Sequence, residues 1–373
     1  MRPVVVLIFH ATAPEGAGPL TRALAETRHS LACAQREAWL AAGVDQAEVV
    51  ARPPDGRAFG ERLAAKIRAR SRSASAAGEG AGGGGAIVMG SGSIPLARPA
   101  DMRRFVDVAA GPPGFALANN RFSADVVAVS RAADLADLPP LPADNALPRW
   151  LEEKAGVAVS DLRDVWKLGL DLDSPLDLLL IDNHGTGPLA QGRPAAPLVR
   201  TRMAQLHAVL GDRRAELLVA GRVSVSTLRW LQDGVACRVR ALVEERGLRA
   251  ATVLAQSGAT SGDRPPRSVL GRLLDHEGPE SLARIVSEMA DAALIDTRVL
   301  LAHRHGAVES AWPPAEDRFA SDLLLPISIS DPWLRTLTVS ASTRFPVPIL
   351  LGGHTLVNGG LRLLAQRART TAR

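Results

Sequence analysis

The chain has 373 residues, enough for two domains of ordinary size with separate cores. Its 46% hydrophobic and 22% charged content is that of a globular protein and argues against wholesale disorder. Aromatics make up 3%, with no Tyr, which speaks against the stacking platforms that hold single-stranded nucleic acid. The formal charge of +5 arises from 44 basic and 39 acidic residues spread along the chain, so no nucleic-acid partner is expected.

Cys33 and Cys237 lie far apart and match no metal-ligand spacing, so free thiols in a reducing compartment are expected. Met1–Phe9 is apolar but too short to span a membrane and lacks a cleavage signal, so it reads as a first strand. The expectation is a cytoplasmic protein with no membrane partner.

Val4–Phe9 is a continuous β-branched run, as in a strand buried on both faces. The loop His10–Pro19 precedes a helical segment over 20–42. A short strand over 47–51 leads into the turn residues Pro53, Pro54, Asp55 and Gly56. Phe59–Ile67 reads as a helix, and Ser71–Gly85, rich in Ser, Ala and Gly, as a surface loop. Ala86–Met89 reads as a strand that leaves the core through Gly90-Ser-Gly-Ser93. A helix opens near Pro99–Asp101, so that turn sits where open α/β sheets bind ligands. Residues 116–129 read as two strand pieces around a polar corner, Asn119, Asn120 and Arg121. Pro139–Pro142 reads as a loop and Asn145–Ala155 as a short helix carrying Trp150 on its apolar face.

The stretch Asp171-Leu-Asp-Ser-Pro-Leu-Asp177 then places three carboxylates ahead of the apolar run 178–181. Ser174 suits an N-cap, Pro175 the first helical position and Asp177 the first turn. If the preceding segment is a strand, Asp171 and Asp173 share one face and could hold Mg²⁺ with a nucleotide phosphate; the plainer reading is a capped helix with solvated acids.

Alternating strands and helices predict a three-layer α/β domain over residues 1–185. Asp55-Gly-Arg-Ala-Phe-Gly-Glu-Arg-Leu63, Gly90-Ser-Gly-Ser-Ile-Pro-Leu96 and Asp171–Asp177 occur in the order seen in the nucleotidyltransferase and glycosyltransferase-A-type family, which this half resembles. Molybdenum-cofactor nucleotidyltransferases and phospholactate guanylyltransferases are members of it. The resemblance implies a nucleotide-diphospho-sugar-transferase-like domain that takes a nucleoside triphosphate or nucleotide sugar. It implies Mg²⁺ on Asp171 and Asp173, and nucleotide contacts at Gly90, Ser91, Gly92, Ser93 and Arg121. The pattern departs in two places. Ser93 stands where the family has a metal-binding Asp, and the loop after the first strand has no Lys or Arg before Arg22. The alternative expectation is therefore a catalytically degenerate member that binds a ligand or partner.

Asn183–Pro194 is turn-rich and marks the expected boundary, with a second α/β domain of unrecognised type over 192–373. Its pattern reads helix (197–210), strand (215–220), helix (224–232), strand (236–243), polar loop (254–266), helices (267–276 and 279–293), strand (347–351) and a basic helix from Leu361. Gly352-Gly-His-Thr355 follows a buried-type strand, where its N–H groups could bind an anion, although a plain turn explains it as well. Asp296, Arg298 and His354 form the candidate site of this half. An ordinary salt bridge beside part-exposed histidines is the plainer reading of Asp296, Arg298, His303 and His305, and a solvated face that of Glu316, Asp317 and Asp322.

Overall fold

The computed structural model describes residues 2–76, 84–141, 144–181, 189, 194–247, 266–343 and 347–371. Parts of three expected loops, over 71–85, 183–194 and 254–266, lie outside the described residues. The fold is α/β, with one six-stranded mixed sheet and one four-stranded parallel sheet. Among the described residues, 2–17, 25–172 and 189 form one compact unit, and 18–24, 173–181, 194–247, 266–343 and 347–371 form the other.

In the first unit, β1 (Val4–Ala11), β2 (Gln46–Arg52), β3 (Gly85–Gly90), β4 (Phe115–Ala118), β5 (Val126–Val129) and β6 (Ala158–Asp161) are ordered β2-β1-β3-β5-β4-β6. β1 pairs in parallel with β2 and β3, while β5 runs antiparallel to both β3 and β4. The first three strands and β4 therefore deliver their carboxyl ends to one edge.

The period of two along β1 separates two cores. Leu7, with Val88 and Val127, packs on Phe59, Leu63 and Ile67 of the helix Phe59–Ala76. Val6 and Ile8, with Ile87 and Met89, pack on Trp39 of the helix Pro19–Ala41 and on Phe105 of the helix Pro99–Ala110. A sheet with helices on both faces makes three layers, as the alternation of elements predicts. The helix from Phe59 runs nine residues beyond the expected Ile67, to Ala76. Strand β6 has no clear signal in the sequence because only one of its four residues, Val159, is buried.

In the second unit, β7 (Glu216–Gly221), β8 (Arg238–Val243), β9 (Ala292–Asp296) and β10 (Ile349–Gly352) are all parallel, in the order β10-β9-β7-β8. The expected helix over 279–293 is shorter: a 3₁₀ turn at Pro279–Ser281 and a helix Leu282–Met289 end before β9. All five β9 residues are buried, so it shows no alternation and cannot be told from a helix by pattern. The expectation of a solvated face at Glu316, Asp317 and Asp322 is overturned. They lie on the helix Ala315–Asp322, where Asp317 and Asp322 are buried. Asp317 accepts the N–H groups of Ser330 (2.9 Å) and Asp331 (2.8 Å), and Glu316 those of Leu20 (2.9 Å) and Thr21 (3.0 Å). No described helix is long and apolar enough to cross a membrane.

Gly85 illustrates how closely β3 meets its covering layer. A methyl there would lie 2.1 Å from the Ala109 carbonyl oxygen and 2.9 Å from that of Val129. Alanine normally improves a strand slightly over glycine, but both obstacles are backbone and cannot swing aside. Gly85→Ala is expected to destabilise the fold by about 1–3 kcal/mol, read as a lower urea midpoint with an unchanged slope.

Candidate functional site

At the carboxyl edge of the first sheet, His10 is the last residue but one of β1 and Gly90 the last of β3. His10 is buried, its Nδ1 lies 3.0 Å from Ser91 Oγ, and its ring centroid is 5.0 Å from that of His29. Burial first, then His29 and the Arg28 guanidinium, hold the His10 imidazole down at about 4, so it is neutral at neutral pH. The Ser91 N–H donates to the Phe9 carbonyl (2.9 Å), which fixes the turn to the end of β1.

Ser93 and Asp171, 78 residues apart, form an antiparallel bridge. Ile94 N–H donates to Leu170 O (3.1 Å) and Leu172 N–H to Gly92 O (3.0 Å). Gln35 Nε2 adds a bond to Ser93 O (2.7 Å). A methyl at residue 92 would lie 2.7 Å from Asp171 Oδ1 and 3.0 Å from Arg28 Nε, so only glycine lets these groups approach the turn. Arg28 Nε is buried there without a hydrogen-bond partner. Asp171 Oδ1 itself accepts the Leu172 N–H (2.9 Å).

The polar corner has a structural office. Asn119 is buried, gives its amide hydrogens to Asp125 Oδ2 (3.0 Å) and Leu168 O (2.8 Å), and accepts the N–H groups of Asp125 (2.9 Å) and Val126 (3.2 Å). Arg121 is ion-paired with Glu152 and lies 5.7 Å from the Phe122 ring centroid.

The strand that would place Asp171 and Asp173 on one face does not form. After the bridge at Asp171 the chain buries Leu172 and turns into the helix Pro175–Ile181, so Asp171 belongs to the first unit and Asp173 to the second. Among the described residues, no three His, Cys, Asp or Glu side chains are grouped to hold a metal. Asp177, as expected, serves the first turn of its helix: Oδ2 accepts the N–H groups of Asp173 (2.9 Å) and Ser174 (2.7 Å).

The carboxyl edge of the second sheet carries the denser charge network. Asp296, at the end of β9, receives the Arg222 fork at 2.6 and 3.2 Å and caps the helix Thr297–His305 through the Arg298 N–H (3.1 Å). Burial would raise the Asp296 carboxyl, but the Arg222 charge and hydrogen bonds outweigh it and hold it below the usual carboxylate range. Arg298 turns instead to Asp322, in a bidentate pair with one contact at 2.7 Å, and to Thr297 Oγ1 (2.9 Å).

Gly221, with φ of +129°, lies so close to Asp296 that a methyl would meet its Cβ at 2.3 Å. Asn358 ties two loops together, accepting Ser224 N–H (2.7 Å) and donating to Arg222 O (2.8 Å) and His354 O (2.9 Å). Burial, and then the Arg222 charge, hold the His354 imidazole at about 4. Arg246, just beyond β8, and Arg318 both pair with Glu309, and each lies 5.6 Å from the Trp312 ring centroid.

The expected simple bridge at Asp296 and Arg298 is therefore two separate pairs, and the expected part-exposed His303 is buried. Its Nδ1 accepts the Ser268 N–H (3.1 Å), which leaves Nε2 to donate to Asp275 Oδ2 (2.9 Å). Ser224 is an N-cap, accepting the Thr227 N–H (3.2 Å). Sequence reasoning missed Arg28, which sits mid-helix with nothing local to mark it. It also missed Arg222, although Gly221-Arg222 follows a buried strand much as Gly90-Ser91 does.

No family model matches this chain, and comparison with curated proteins gives no match. The geometry alone therefore defines the class, an α/β protein with a polar strand-end site in each unit.

Two stability experiments test the second unit. Asp322→Ala would leave Arg298 as a buried, unpaired charge and is expected to cost about 3–5 kcal/mol in chemical unfolding. Burial, then the Asp173 and Asp322 charges, push the Asp177 carboxyl up to about 8 from its ordinary 3.8. A raised acid contributes stability that is complete below its unfolded value and is lost as pH rises toward the folded one. Asp177→Asn should flatten the loss of stability between pH 4 and pH 8 relative to wild type, and an unchanged pH profile would refute this.

Proposed function

We propose that the first unit binds the phosphates of a nucleoside triphosphate or nucleotide sugar at the carboxyl edge of its sheet, as a transferase-like ligand-binding module. The observation that carries the reading is the buried, unpartnered Arg28 Nε directed at Gly92. A buried guanidinium Nε–H without a partner is an unmet demand for an acceptor, and phosphate meets it with a charge-assisted hydrogen bond. In the same turn the N–H groups of Gly90, Ser91 and Ser93 are engaged by protein carbonyls, which leaves that of Gly92 for a ligand, and neutral His10 with Ser91 supplies further polar atoms beneath it.

Magnesium, implied by the family resemblance, fits this donor set poorly. Asp171 has a guanidinium for a neighbour, one of its oxygens takes a backbone N–H, and Asp173 belongs to the other unit. A hard divalent ion bound by protein and phosphates needs carboxylates free to face it. In this reading Arg28 supplies the positive charge, and nucleotide binding is indifferent to divalent ions. The second reading is nucleotidyl or glycosyl transfer to a small acceptor. It is favoured by the Asp171 carboxylate standing beside the phosphate turn, and in it magnesium would neutralise charge on the phosphates.

A thermal-shift screen of nucleoside triphosphates and nucleotide sugars, with and without Mg²⁺, separates the two. A ligand at about a hundred times its Kd adds roughly 2.7 kcal/mol of stability. The expected result is a shift that persists in EDTA and disappears in Arg28→Gln. A shift that requires the metal favours transfer, and no shift with any nucleotide overturns both readings.

A further inference from the structure

At the carboxyl edge of the second sheet Asn358 ties the loops after β7 and β10 together, and Arg246, after β8, is within electrostatic reach of Arg222 and His354. The Arg222 side chain is 22% exposed and that of Arg246 17%, so both are largely desolvated yet reachable. Their charges oppose one another: burial first, and then the Arg222 guanidinium, lower the Arg246 pKa. Arg222 commits its Nε and one terminal nitrogen to Asp296, a minority of the five N–H donors of a guanidinium. Arg246 pairs with Glu309 through a terminal nitrogen, and its Nε is buried without a partner.

The β10 loop brings two more donors. Among the described residues, the N–H groups of Gly353 and His354 donate to no protein acceptor. Gly353 also differs from its neighbours in having no packing reason to be glycine. A methyl there would make only an ordinary contact, 3.7 Å from Arg298 Nε, whereas one at Gly352 would strike Leu356 at 2.8 Å and Leu176 at 2.9 Å. Like-charged guanidiniums are costly to hold together half-buried, and an anion between them removes that cost.

We infer that the second unit has its own anion site, in which a phosphate group is held by Arg222, Arg246 and the N–H groups of Gly353 and His354. Asp173, exposed and within electrostatic reach of both Arg246 and His354, is the acid that opposes the anion. The site does not depend on the nucleotide reading of the first unit.

Isothermal titration of the full chain with orthophosphate and with glycerol 3-phosphate, at fixed ionic strength, tests this. Arg246→Gln leaves Glu309 paired with Arg318 at 3.1 Å, so the fold is expected to persist, checked by its melting temperature. Expected are binding by wild type, at least tenfold weaker binding in Arg246→Gln, several-fold tighter binding in Asp173→Asn, and no change in Arg28→Gln. Tighter binding of the ester than of orthophosphate identifies a phosphorylated small molecule as the occupant, and the reverse identifies free phosphate. Affinity unchanged by Arg246→Gln, loss of binding in Arg28→Gln, or no heat with either probe overturns the proposal.

Discussion

The second unit depends on the fork of Arg298 onto Asp322. A guanidinium fixed between the helix Thr297–His305 and the helix Ala315–Asp322 decides where the end of β9 can lie. Burial opposes both charges: it leaves the Asp322 carboxyl above its usual range, while the bidentate contact with Asp322 holds the Arg298 guanidinium charged. With Arg298 so occupied, Asp296 is left for Arg222, and the β7 loop is drawn onto the β9 end. Asn358 then fixes the β10 loop to the same place. One pair thus sets the partners of the next, which is how a few charges organise an edge with little apolar material.

The first unit solves a similar problem with backbone. Its strand-end turn is fixed by the bridge between Ser93 and Asp171 and by the Gln35 side chain on the Ser93 carbonyl. Using backbone to fix the turn leaves side chains available around it. Arg28 remains without a partner at Nε, and His10 is held neutral. The two edges therefore reach a cationic lining by different routes, one by withholding a partner and the other by crowding two guanidiniums.

Much of the architecture was legible in the sequence, for physical reasons. β1 and β3 are continuous apolar runs closed by glycine or a polar residue, and the Pro175 helix has its proline and first-turn acid in place. β9 was not legible because Ala292-Ala-Leu-Ile295 carries helix formers and follows a helix closely, and β6 because it has barely one buried residue. The sites were less legible. Asp171 and Asp173 look like a pair in sequence, yet a bridge and a buried Leu172 send them to different units. Nothing beside Asp322 in the sequence marks it as a buried, paired acid, because its partner Arg298 lies 24 residues away. Long-range pairs of this kind leave no local signature.

The outer strand of the second sheet has a consequence for how the protein behaves in company. Among the described residues β8 has β7 on one side and no strand on the other, and four of its six residues are exposed. A bare strand edge invites pairing with the next molecule. Here Arg238 and Arg240, two apart, stand on the same face of the strand, with exposed Val243 beyond them. Two copies approaching along this edge would bring like charge together, offset in part by the ion pair of Arg240 with Glu216 at 3.0 Å. The charge on this strand acts as a guard on solution behaviour, weakened by salt and strongest in dilute buffer.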